Sequence, residues 1–177
     1  MLAFSPSRLI RAALGAGAVL ALVGVGCAHS APPAAGAPPA ADAWTPSPEE
    51  DAVYLALSAR DNTADCATVE ALTSTPVATL SALVEHATMP PWVGTRAATC
   101  LMRGHAEEAR GALVAWAGAP DKRGLVILMA NELDAMPEGV ALEVAKAGLA
   151  GPFSEDMRKR LAGSQHSAVR ALATPAP

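Results

Sequence analysis

The residues able to do chemistry are few: His29, His86, His105 and His166, with Cys27, Cys66 and Cys100. His105 followed by Glu107 and Glu108 comes nearest to a metal-ligand pattern, because imidazole nitrogen and carboxylate oxygen are the donors a divalent ion takes. The trio also follows Gly104 at a helix start, where a polar residue and acids complete the first turn and favour the dipole. That capping role is the reading adopted for His105 and, at a second helix start, for His166. Glu85, His86 and His105 are the groups open to acid–base work, and they serve an enzyme or a small-ligand carrier only if folding gathers them into one polar pocket. The sequence contains no phosphate-cradling loop, no Gly-x-Ser-x-Gly elbow and no Gly-x-Gly-x-x-Gly turn. The expectation is a non-enzyme with no metal and no cofactor.

The N-terminus carries an address. Arg8 and Arg11 precede a charge-free run over 12 to 26 (AALGAGAVLALVGVG), which reads as the positive and apolar regions of an export signal. The run is short for a spanning helix, which needs about 20 residues. Val23-Gly24-Val25-Gly26-Cys27 resembles a bacterial lipoprotein lipobox, in which a small residue precedes a cysteine that is lipidated and becomes the mature N-terminus. Gly26 fits that pattern; Gly24 stands where the pattern usually has leucine, which sets this lipobox apart as atypical. The resemblance implies lipidation at Cys27 and attachment to a membrane of the cell envelope, facing periplasm or exterior. Cleavage after Ala28 or Ser30, discarding Cys27 and releasing a soluble secreted protein, is the alternative. Residues 28 to 48 follow with six prolines and almost no charge, a composition that cannot bury a core and suits an extended tether.

With Cys27 lipidated or removed, Cys66 and Cys100 remain as an even pair in an exported chain, which points to a disulfide. Two buried free thiols are the competing arrangement.

These residues must be carried by helices. The chain has 42 alanines and only 6 aromatic residues, a balance that favours helix over strand and leaves Leu, Val, Met and Ala to make the core. Breakers recur about every 15 residues beyond the tether, at Thr75-Pro76, Pro90-Pro91, Gly104, Gly118 to Pro120, Pro137, Gly151-Pro152 and Gly163, a spacing of one short helix plus a turn. Ser47-Pro48-Glu49-Glu50 offers a capping box. Thr75-Pro76, Pro137-Glu138 and Ser154-Glu155-Asp156 repeat the same start signals, while Gly104, Gly118, Gly151 and Gly163 are placed to close helices as left-handed caps. Val77, Leu80, Leu83 and Val84 form one apolar stripe, with Thr79 elsewhere on the wheel. The run 125 to 130 (LVILMA) is apolar all round and predicts a central helix over 121 to 135, covered by neighbours at 106 to 117 and 138 to 149.

Trp92 to Leu101 (WVGTRAATCL), then AEEARGALVAWAG, then the pair from Asp121, resemble HEAT repeats, with Arg96-Ala97-Ala98 as the Arg-Ala-Ala element. The resemblance covers roughly 76 to 173 and implies an all-α fold of short antiparallel helix pairs stacked as a right-handed solenoid. A non-repetitive helical bundle is the alternative. The organisation is thus signal peptide 1 to 27, tether 28 to 48 and helical repeat domain 49 to 174.

Net charge −4 excludes a nucleic-acid partner on bulk electrostatics. Residues 42 to 90 carry eight acids and one base, Arg60, whereas 91 to 177 carry nine acids and ten bases. Arg158-Lys159-Arg160 complements the dipole of a short helix. Solenoids bind along a continuous surface, so the expected function is a non-catalytic interaction or scaffolding module with a protein or peptide partner. Trp92, Arg96, Arg103 and Arg110 are the candidate contact residues, with Trp92 either packed inward at a turn or exposed as an anchor. A structural spacer, in which lipid and tether matter more than any binding surface, is the further alternative.

Overall fold

Helix formation begins where the capping box places it: Ser47 Oγ accepts the Glu50 N–H at 3.2 Å, and Glu50 returns the bond to the Ser47 N–H at 2.6 Å. A computed structural model describes residues 44–60 and 65–174, all within the packing unit Asp42–Pro177. Cys27, the apolar run before it and most of the tether lie outside the described residues. The described residues are all-helical, without a strand. In order they form α1 (Pro48–Ser58), α2 (Cys66–Glu70), α3 (Pro76–His86), α4 (Trp92–Gly104), α5 (Arg110–Gly118) and α6 (Arg123–Asn131). A 3₁₀ turn, Leu133–Ala135, then leads into α7 (Glu138–Ala150), α8 (Ser154–Leu161) and α9 (Ser167–Ala171).

α3 and α4 form the tightest pair, joined by a turn with a cis Met89-Pro90 bond. Beyond them packing runs largely between helices two apart: α1 on α3, α4 on α6, α5 on α7, α6 on α8 and α7 on α9. Thus α4, which carries Arg96-Ala97-Ala98, closes a pair begun by α3 rather than opening one with α5. The core is made of the expected residues, with Leu80, Leu101, Leu113, Met129, Met157 and Leu161 fully buried. Alanines between them, including Ala97, Ala98, Ala141 and Ala145, are buried too and let helix axes approach closely.

Three local expectations are corrected. α6 is shorter than 121 to 135 and is not covered on all sides, since Ile127 is 38% exposed. Thr79, expected elsewhere on the wheel, is buried with Leu80 and Leu83 because it lies one turn before Leu83 on the same face, and its hydroxyl is satisfied by Thr73 Oγ1 at 2.8 Å. The helix-ending glycines are not left-handed caps: among the described residues no glycine has positive φ. Two glycines near the end of α7 instead permit close approach. A Cβ on Gly151 would lie 3.2 Å from Ala117 O on α5, and one on Gly148 would lie 2.5 Å from Met157 Cε on α8.

Candidate functional site

From Arg103 onward, polar contacts between helices two apart recur at chain separations of 29 to 33 residues, whereas nearer the N-terminus they range from 24 (Thr73 to Glu49) to 39 (Arg96 to Leu57). Arg103 reaches Glu132 with two hydrogen bonds of 3.0 Å across 29 residues; Arg110 reaches Glu143 at 3.1 Å and Arg123 reaches Asp156 at 3.0 Å, both across 33. Glu138 accepts the Ala168 N–H at 3.0 Å across 30 residues, and Asp134 accepts the Ser164 hydroxyl at 2.5 Å, also across 30. Each joins a residue to one about two helices further along, so the ladder follows the packing step of the helices themselves.

Several carboxylates are held ionised by these contacts. The Ser164 hydroxyl and the Gln165 N–H, outweighing the opposing effect of burial, keep Asp134 below the usual carboxyl range. Hydrogen bonds from the Ala168 N–H and the Ser167 hydroxyl do the same for Glu138. Glu49 is lowered by the Thr73 hydroxyl and by the N–H and hydroxyl of Ser74, at the start of the chain leading into α3. Burial pushes Glu85 up, but hydrogen bonds from Lys122 and the Trp116 indole, with the Lys122 charge, bring it below its ordinary value.

The four residues singled out for partner contact sit within this framework. Trp92 is half-buried and donates its indole N–H to Ser58 O at 3.3 Å. Arg96 lies over the Trp92 ring at 5.8 Å and donates from Nη1 to Leu57 O and Ala59 O at 2.6 and 2.7 Å, capping the carbonyl end of α1. Arg103 and Arg110 stand nearer the surface, Arg103 on Glu132 and Arg110 between Glu107 and Glu143. Cys66 and Cys100 form a disulfide that ties α2 to α4, with Cα atoms 5.3 Å apart. A disulfide fits an oxidising, exported compartment. Among the described residues no helix is long and apolar enough to cross a membrane.

Glu85, His86 and His105 are not gathered. Glu85 is taken by Trp116 and Lys122, and His86 stacks on Trp44 with ring centroids 5.6 Å apart. His105 lies between Glu70 and Glu108; its Nε2 is 3.1 Å from Glu70 Oε1 but out of line for a hydrogen bond. Among the described residues no three His, Cys, Asp or Glu side chains converge on a metal position.

What sequence reasoning missed lies at the N-terminal end. Trp44, in the segment whose composition reads as tether, packs onto the helical core, and with Pro46, Asp51, Tyr54, His86 and Met89 it lines a hollow of about 370 Å³. Tyr54 donates its hydroxyl to Met89 O at 2.5 Å, fixing one wall, and the Trp44–His86 stack fixes another. Trp44 was the available signal: an aromatic residue in an otherwise Pro/Ala-rich run has little reason to be there unless it packs. No family model, curated protein or solved structure matches the chain.

Proposed function

We propose that this chain is a non-catalytic interaction module of the bacterial cell envelope, a short HEAT-like right-handed solenoid carried on a tether from a lipidated Cys27. The observation that supports this reading is the polar ladder from Arg103 onward, whose rungs at 29, 30 and 33 residues are close to the length of one helix pair with its turns. A stack of this kind holds its exposed side chains in a fixed array and recognises extended partners through geometry rather than through a reactive centre. The Cys66–Cys100 disulfide and the Pro-rich composition of residues 28 to 48 support export and display away from a surface. The partner is a protein or peptide.

The test is crosslinking and affinity purification of the tagged full chain from detergent-solubilised envelope. A stoichiometric protein partner is the expected result. Recovery of the tagged chain alone, together with normal cell function when residues 49 to 174 are replaced by an unrelated fold, would overturn the module in favour of a spacer.

A further inference from the structure

The hollow at the N-terminal end combines aromatic walls, an exposed thioether and a carboxylate. Its walls are Trp44, Tyr54 and His86, its rim includes Met89 at 69% exposure, and its charged side chain is Asp51. Most carboxylates nearby are already engaged: Glu49 by Thr73 and Ser74, Glu50 by the Ser47 N–H, Glu85 by Lys122 and Trp116. The Asp51 carboxylate makes no hydrogen bond or ion pair among the described residues, its backbone N–H alone donating to Ser47 O at 2.9 Å, in a region where residues 42 to 90 carry eight acids against one base. One turn further along α1 from Asp51, Leu55 is 61% exposed.

Resting on the interaction-module reading, we propose that this hollow receives the cationic side chain of an arginine- or lysine-bearing peptide segment of the partner protein. The chemistry follows from the lining. Aromatic faces carry negative quadrupole potential and attract a guanidinium or ammonium, more strongly as water is excluded. The Asp51 carboxylate supplies the counter-charge, and the regional excess of acid draws a cation towards it. Met89, on the rim, offers apolar contact to a residue beside that cation. An anionic or purely apolar segment would leave Asp51 desolvated without a partner, which penalises both.

The site is also pre-formed. The Tyr54–Met89 hydrogen bond and the Trp44–His86 stack hold the walls in place before anything binds, so little ordering cost falls on the association. Trp44 thereby has two roles: it seats the end of the tether on the helices, and it presents ring surface to the ligand.

A titration followed by indole N–H resonances tests this, because the chain has three tryptophans, Trp44, Trp92 and Trp116, which a Trp44→Phe variant assigns. The protein is the full mature chain in detergent micelles, and the probes are acetyl-Leu-Arg-Leu-amide and acetyl-Leu-Glu-Leu-amide. The expected result is a saturable shift of the Trp44 resonance with the arginine peptide alone, weakened about fivefold by Asp51→Asn. Asp51 is exposed and unpaired, so this variant keeps the fold, whereas Trp44→Ala also unseats the tether. Equal binding of the glutamate peptide, no response at Trp44, or undiminished binding by Asp51→Asn each overturns the proposal. Any of these leaves the module reading to be decided by the envelope crosslinking, which uses no peptide. Conversely, a positive titration with no envelope partner would overturn that reading while the cation site stands.

Discussion

Glu138, in the first turn of α7, accepts the backbone N–H of Ala168, in the first turn of α9, at 3.0 Å. An acid placed to favour its own helix dipole also satisfies an orphan amide of the helix two further on. Glu49 repeats the arrangement at the other end, accepting from the N–H of Ser74 at 2.9 Å just ahead of α3. The helix starts are therefore coupled to one another through carboxylates.

That coupling gives the fold an acid dependence of definite sign. Glu49, Asp65, Glu85, Asp134 and Glu138 all have carboxyls below their ordinary values of 4.5 for Glu and 3.8 for Asp. A depressed folded value means that the unfolded chain takes up protons first. The contribution is complete above the ordinary values and is lost as pH falls through the lowered ones. Urea midpoints should hold steady from neutral pH to about 5 and then decline. A Glu138→Gln variant should show a shallower decline, and an unchanged slope would count against the carboxylate link.

Reduction should loosen the N-terminal end. The Cys66–Cys100 bridge closes a 34-residue separation, so the paired variant Cys66→Ala/Cys100→Ala should lose about 4 kcal/mol on the loop-entropy account. Denaturant unfolding with and without reductant measures this. Two reactive thiols in the unfolded, unreduced chain would show that the bridge does not form.

The two arginines Arg96 and Arg103 should differ sharply. Arg96→Ala strips the cap from the carbonyls of Leu57 and Ala59 and the partner from Trp92, and should cost about 2 kcal/mol. Arg103→Ala breaks a surface pair with Glu132 and should cost about 0.5 kcal/mol. Thermal or urea denaturation of the two single variants distinguishes them, and equal losses would refute the capping role.

Gly148→Ala should destabilise despite alanine's better helix propensity. The new methyl meets fully buried Met157, with 3.2 Å to its Cγ as well as the closer Cε. Overpacking of this kind costs about 1–3 kcal/mol, more than the roughly 1 kcal/mol that propensity returns. A raised unfolding midpoint would mean that Met157 swings away freely.

At the far end of the chain, the mature protein from a native envelope should begin at Cys27 and carry acyl chains by intact mass. A non-acylated N-terminus at His29 or Ala31 would remove the lipid anchor.

Much of the helical layout is legible in the sequence. Helix starts follow from the capping box at Ser47 and from Pro76 at the head of α3, because local geometry there depends on a few adjacent residues. The Cys66–Cys100 pairing followed from parity and export. Sequence reading missed the hollow because Trp44, Tyr54, His86 and Met89 lie in separate segments with no periodic relation.

By itself, then, the sequence determined the helical class, the breaks between helices and the apolar residues available for a core, since each rests on local propensity or composition. The tertiary structure alone decided which helices pair, that Ile127 stays exposed, that Arg96 caps α1 and that Trp44 seats on His86. Those outcomes depend on which surfaces meet across roughly 30 to 40 residues of chain, a distance over which propensity carries no information and only mutual packing selects the arrangement.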